Sequence, residues 1–156
     1  MINYDKLKTI IPNKRTLYDL VDLFFIENTD KISQLTAEFN NIYNLSFKND
    51  RVNRFILKQI IDTIRVISHT IKGSSQSICF KELEDKCHTL ETYCIKQLTR
   101  VYLALDRYFH IKNVINDIRV IFKNEKSNSH RLIRKYKLCN NLFNTYEHNK
   151  ITHNTN

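Results

Sequence analysis

Glycine and proline are almost missing from this chain. Its 156 residues hold one of each, where ordinary usage would supply on the order of ten glycines and about eight prolines. β-Sandwiches and barrels need both at their turns, so the shortage argues against them and for a nearly all-helical chain. No stretch approaches 18 uncharged apolar residues, and the opening MINYDKLKTIIPNK has neither an apolar core segment nor a small-residue cleavage site. Neither secretion nor a membrane span is indicated, and a cytoplasmic location is expected, or a nuclear one in a eukaryote. Four cysteines are present without a C-x-x-C pair, and Cys79, Cys87 and Cys94 fall at helical spacings. They read as reduced, buried small hydrophobes. A zinc site at Cys87, His88 and Cys94 is disfavoured, because neighbours on a helix point about 100° apart.

What is present is apolar sequence and positive charge. Hydrophobic residues make up 42% of the chain, too much for a wholly disordered one and enough for a single core. Lys and Arg number 25 against 16 Asp and Glu, a net charge of +9.

Apolar residues recur at steps of three and four along most of the chain. Leu17, Leu20, Val21, Phe24, Ile32, Leu35, Phe39 and Ile42 mark one long helix or a pair, with Asn28, Thr29 and Asp30 as the place of a break. Periodicity alone leaves both open. A polar connection over 46–50 precedes Phe55, Leu57, Ile60, Ile61, Ile64, Ile67 and Ile71, a helix ending near Gly73-Ser74-Ser75. Phe80, Leu83, Cys87, Leu90 and Cys94 mark the next, and Val101, Leu105, Phe109, Val114, Ile118 and Phe122 another, with a break near 110–113. Residues 123–130 are polar and are expected to form a loop. A last helix carries Leu132, Ile133, Tyr136, Leu142 and Tyr146, and residues 148–156 are expected to be a disordered tail. The domain is therefore drawn over 1–147, and such helices pack most simply as an up-and-down antiparallel bundle.

The single glycine marks the chemistry. Glycine inside a helix costs about 1 kcal/mol relative to alanine, so Gly73 demands a reason. It is a helix C-terminal cap, a contact for a neighbouring helix, or part of a site. His69, Lys72 and Gly73 share one helix face, and Arg65 and Gln76 extend the polar stripe. A neutral imidazole nitrogen is a nucleophile near physiological pH and accepts a phosphoryl group. Lys72 offers a charge to the phosphoryl oxygens, and the bare backbone at Gly73 leaves room for a partner.

His69-Thr70-Ile71-Lys72-Gly73-Ser74-Ser75, followed by Leu83, Cys87, Leu90 and Glu91, resembles the signature of histidine phosphotransfer (HPt) domains, H-x-x-K-G-S-S and then L-x-x-x-C-x-x-L-E. Upstream, Leu23-Phe24-Phe25-Ile26-Glu27-Asn28-Thr29 is similar to the family's F-[LI]-E-x-T helix. Residues 17–94 carry the match, within a motif-bearing part drawn over 17–97. The resemblance implies an all-α fold: an antiparallel four-helix bundle, here with additional helices at the N- and C-terminal ends. It implies a monomeric phosphoryl carrier in a multistep phosphorelay, taking the group from a receiver-domain aspartate on His69 and passing it to another receiver. Hybrid histidine kinases and response regulators would be the partners. His69 would be the phosphoacceptor, Lys72 would steady the phosphoryl oxygens and Gly73 would keep the approach open. No kinase or hydrolase activity and no cofactor would belong to the chain, Mg²⁺ being carried by the receiver.

A receiver docking over His69 needs apolar residues around it, and Leu20, Phe24 and Phe25 are the candidates, with Arg65 and Gln76 beside them. The chain departs from the family in having Cys79-Phe80 where a small pair such as Gly-Ala is common, and in its extra helical sequence over 101–146. Ser74 and Ser75 are assigned to packing and capping. The +9 charge is the feature this resemblance explains least. It admits a second reading, a basic helical protein that binds nucleic acid or an anionic surface through Arg131, Arg134, Lys135 and Lys137 beside Tyr136. No nucleic-acid-binding motif accompanies them, and the phosphorelay reading leaves nucleic acid and membrane without a role. Hydrolytic and redox enzymes are set aside, as the chain has no G-x-S-x-G, no glycine-rich phosphate loop and no H-E-x-x-H.

Overall fold

The computed structural model describes residues 1–48, 54–99 and 105–153, with side chains described from 1 to 45, 55 to 99 and 109 to 138. Five helices are present and no strand among the described residues: α1 Tyr4–Ile10, α2 Lys14–Lys48, α3 Arg54–Ser77, α4 Lys81–Leu98 and α5 Leu105–His153. Of the polar connection expected over 46–50, residues 46–48 are helical and belong to α2, while 49–50, like Val101, lie outside the described residues.

Local chemistry sets the helix ends. Asn3 caps α1 by accepting the Lys6 N–H at 2.9 Å, and Asn13 accepts the Thr16 N–H at 3.1 Å at the start of α2. The one proline, Pro12, stands between the two helices, where its missing N–H and restricted neighbour stop α1. Glu82 and Glu84 lie in the first turn of α4, where carboxylates complement the helix dipole.

Of the two readings left open, one long helix or a pair broken at 28–30, the structure has the single helix. Asn28 Nδ2 donates to the Phe24 carbonyl at 2.8 Å and Thr29 Oγ1 donates to that of Phe25. Polar side chains that bond back to the preceding turn are held inside a helix rather than ending it.

Residues 123–130 are not a loop, and no break occurs at 110–113: α5 is continuous through both. The polar segment keeps the helical period with polar groups that find partners. Glu125 is buried and accepts the Ile2 N–H at 3.0 Å, the Tyr4 hydroxyl donates to Ser129 at 2.8 Å, and Lys126 donates to Thr29 at 2.9 Å. Without glycine or proline to stop it, α5 also runs past 147 to His153. The backbone over 148–153 is thus helical where a tail was expected, and 154–156 lie outside the described residues.

Four helices close a circuit. α3 packs on α2 and α4, and α5 packs on α2 and α4, while α1 sits on α2. The core is a line of Ile, Leu and Phe side chains from all four, with Phe25 at its centre. The Phe25 ring lies 5.1 Å from Phe24 and 5.2 Å from Phe122, and Phe24 lies 6.4 Å from Phe80. These edge-to-face contacts join α2, α5 and the α3–α4 turn. Cys87 and Cys94 are fully buried, and burial pushes both thiols up to about 12, so they behave as inert core residues.

Candidate functional site

The middle of α3 carries the polar stripe that the spacing predicts. His69 projects outward, its side chain 64% exposed, while Lys72 beside it is only 19% exposed. What joins them is Glu91 of α4. Its carboxylate accepts from His69 Nδ1 at 2.8 Å through one oxygen and from Lys72 Nζ at 2.6 Å through the other. Burial alone would push the Glu91 carboxyl up. The hydrogen bonds and charges of Lys72 and His69 outweigh it and hold the group below its ordinary value near 4.5.

Glu91 fixes the histidine. An ionised carboxylate only accepts, so Nδ1 carries the proton and the lone pair falls on Nε2. His69 makes no other hydrogen bond among the described residues, so Nε2 is the accessible nucleophile of an oriented ring. Lys72 spends one of its three N–H donors on Glu91 and keeps two. Glu91 was missed as a site residue, although a signal existed. It lies four residues after Cys87 and three before Cys94, both on the apolar face, and a carboxylate placed there must find a partner.

Gly73 is exposed, lies within α3 four residues before its end, and has no positive φ. A Cβ built on it would meet nothing within 4 Å. It is therefore neither a C-terminal cap nor a close-packing contact. The neighbouring serines pack rather than cap: Ser75 is buried and donates to the Ile71 carbonyl at 2.7 Å, and Ser74 reaches Asn28 of α2 at 3.2 Å.

Arg65 and Gln76 lie on the same stripe, each tied to a carboxylate. Arg65 Nε stands 2.7 Å from Asp62, and Gln76 Nε2 donates to Glu84 at 2.8 Å. Phe24 and Phe25, expected to dock a partner, are instead core residues at 4% and 0% exposure. The long α2 buries the face on which they stand, and it is their neighbours Leu23 and Ile26 that are exposed. On α3, Phe55 and Ile56 are exposed in its first turn, and Val66, nearer His69, is exposed beside a shallow α2–α3 groove lined also by Lys31, Gln34 and Thr70. Cys87 is buried while His88 is exposed, and no three metal-binding side chains come together among the described residues. No described helix is long and apolar enough to cross a membrane.

A model of the Hpt domain family matches residues 19–119. This chain belongs to the Hpt domain family. The match runs from the first turns of α2 into α5 and encloses His69, Lys72, Gly73 and Glu91. Histidine phosphotransfer within phosphorelays is the work of Hpt domains, which carry the phosphoryl group and are not kinases or hydrolases. No curated protein and no solved structure matches the chain.

Proposed function

We propose that this Hpt protein is a monomeric phosphorelay carrier that takes a phosphoryl group on His69 from a receiver-domain aspartate and returns it to another. The observation that carries the reading is the Glu91 bridge, which pairs Nδ1 with a carboxylate and leaves Nε2 open beside an ammonium and a bare stretch of backbone.

In the forward step the Nε2 lone pair attacks the phosphorus of an aspartyl phosphate. The P–N bond forms, the P–O bond to the aspartate breaks, and the carboxylate leaves with its electron pair. Positive charge grows on the ring as this happens, and the Glu91 carboxylate against Nδ1–H stabilises it. The two remaining Lys72 donors face the incoming oxygens, and Gly73 puts no side chain in their path. The reverse step runs through the same contacts, so the chain needs no general base of its own.

The receiver brings the aspartate and its Mg²⁺, and the chain contributes no cofactor and no independent kinase or hydrolase activity. Receivers of hybrid histidine kinases and of response regulators would dock over His69 and the neighbouring α2–α3 groove, with Leu23 and Val66 as apolar contacts and Arg65 and Gln76 at the rim. An up-and-down antiparallel bundle in the cytoplasm suits this role.

The test is transfer of radiolabelled phosphoryl from a phosphorylated receiver, with Mg²⁺, to the wild-type chain and to His69→Gln. Acid-labile, base-stable label should appear on the wild type and vanish from the variant. Label of the same kind on His69→Gln would remove His69 as the acceptor.

A further inference from the structure

The positive charge of α5 is arranged, and the family's chemistry does not use it. Arg119, Lys123, Lys126, His130, Arg134 and Lys137 follow one another at steps of four, three, four, four and three, which places them along one side of the helix. That side borders α2: Lys126 bonds Thr29, His130 stands 3.5 Å from Asp22, and the Tyr136 ring packs tilted against Tyr18 with centroids 4.7 Å apart. The row from Arg119 to Lys137 spans 18 residues of helix, about 27 Å at a rise of about 1.5 Å per residue.

The groove between the two helices is interrupted by the Lys126–Thr29 bond, which leaves two separate hollows, each with two kinds of lining. One has Ile32, Val120 and Phe122 beside Arg119 and Lys123, and the other has Ile133 and Leu138 beside Arg134 and Lys137. Val120 and Leu138 are 58% and 59% exposed, and Arg119, Lys123, Arg134 and Lys137 are exposed as well. Asp22, already beside His130, is the one acid in the lining.

We propose that the α2–α5 groove docks an acidic, amphipathic helical segment of a protein partner, its apolar residues over the floors of the two hollows and its carboxylates against the α5 row. The mixed lining selects this occupant. A nucleic-acid backbone would match the basic residues of α5 but leave the apolar floors unmatched, and Tyr136, the aromatic within the basic segment, is already packed against Tyr18. A bilayer is flat and does not enter a concave groove. A helix laid between two others takes its affinity from apolar anchors, and flanking charges set its specificity and on-rate. The α5 backbone runs beside α2 and α4, and no Cα of it comes within 8 Å of α3 among the described residues, so an occupant of this groove leaves His69 uncovered. A partner could then hold the carrier on one side while phosphoryl transfer proceeds on the other.

Fluorescence anisotropy of the full chain tests this with four labelled or competing probes. These are an 18-residue helical peptide with leucines at three- and four-residue steps and glutamates elsewhere, an 18-residue polyglutamate, a 20-nucleotide single strand, and phosphatidylserine vesicles. The amphipathic acidic peptide should bind most tightly. Its affinity should fall at least about tenfold in a variant combining Arg119→Glu, Lys123→Glu, Arg134→Glu and Lys137→Glu, and about fivefold in a Val120→Ser, Leu138→Ser variant. The second variant should leave polyglutamate binding unchanged. All six positions are exposed, and unaltered circular dichroism together with unaltered phosphoryl transfer to His69 would separate this groove from the transfer site. No binding of the amphipathic peptide, equal or tighter binding of polyglutamate, of the single strand or of vesicles, or indifference to the floor substitutions would overturn the proposal.

Discussion

Gly73 shows what a single residue reveals when its surroundings are known. A glycine inside a helix with nothing within 4 Å of its missing Cβ gives the folded chain no packing advantage and costs about 1 kcal/mol of helix stability. The proposed approach of a receiver over His69 is the use that would offset this cost. Gly73→Ala is expected to raise the melting temperature by about 2–4 °C, as ~1 kcal/mol does in a chain of this size. Gly73→Gln, which puts a long side chain beside Nε2, is expected to slow phosphoryl uptake at least about tenfold while the chain stays folded. Calorimetry and the labelling assay measure the two halves separately, and a Gly73→Gln chain that transfers at the wild-type rate would show that the bare backbone serves no partner. Glu91 is the complementary case, a residue whose importance shows only through its contacts. Its place on an apolar face is visible in the sequence, but the fact that it holds both His69 and Lys72 depends on how α4 lies against α3.

At the scale of elements, the α3–α4 turn explains the departure at Cys79-Phe80. Cys79 adopts a left-handed conformation with φ of 55°, a region that glycine enters freely and that costs other residues about 1–2 kcal/mol. The turn closes through Cys79 N–H to the Gln76 carbonyl at 3.0 Å and Phe80 N–H to that of Ser75 at 2.9 Å, and it delivers Phe80 to the core. A small residue is therefore what the backbone favours at this position. Cys79→Gly should stabilise the chain by about 0.5–1 kcal/mol, the strain released less the greater freedom of glycine when unfolded. A lower melting temperature for this variant would mean that the half-buried thiol contributes more packing than the strain removes. The long helices carry the opposite lesson. Polar stretches at 28–30 and 123–130 look like interruptions in a linear reading, yet their side chains either bond back to their own helix or meet partners on α1, α2 and the N-terminal segment.

For the whole molecule, the site and the fold share one acid-sensitive contact. The folded-state pKa of Glu91 lies below its ordinary value near 4.5, so its contribution is fully present above about pH 5 and is lost as pH falls through the lowered folded value. Glu84, hydrogen-bonded by Gln76, is lowered in the same sense. Melting temperature should thus hold between about pH 5 and pH 7 as far as these groups are concerned and drop below pH 4. Glu91→Gln should start lower at neutral pH and lose less on acidification, with the residual loss coming from Glu84 and other carboxylates. Equal acid losses in the two chains would show that the Glu91 bridge contributes nothing to stability.

The helical class, four of the helical stretches in outline and the shared face of His69, Lys72 and Gly73 are legible in the amino-acid order alone. These follow from shortages of glycine and proline and from a period of 3.6 residues, both properties of short segments. It takes the packing of the helices to make Phe24 and Phe25 core while Leu23 and Ile26 are exposed, to set Glu91 against one nitrogen of His69, and to lay the basic residues of α5 along α2. Each of those depends on which neighbouring helix covers which side of an element. Apolar periodicity says that a helix has a buried face. The width of that face, and the partners of the polar groups along its edges, are set by packing against residues 19 to 125 positions away in the chain.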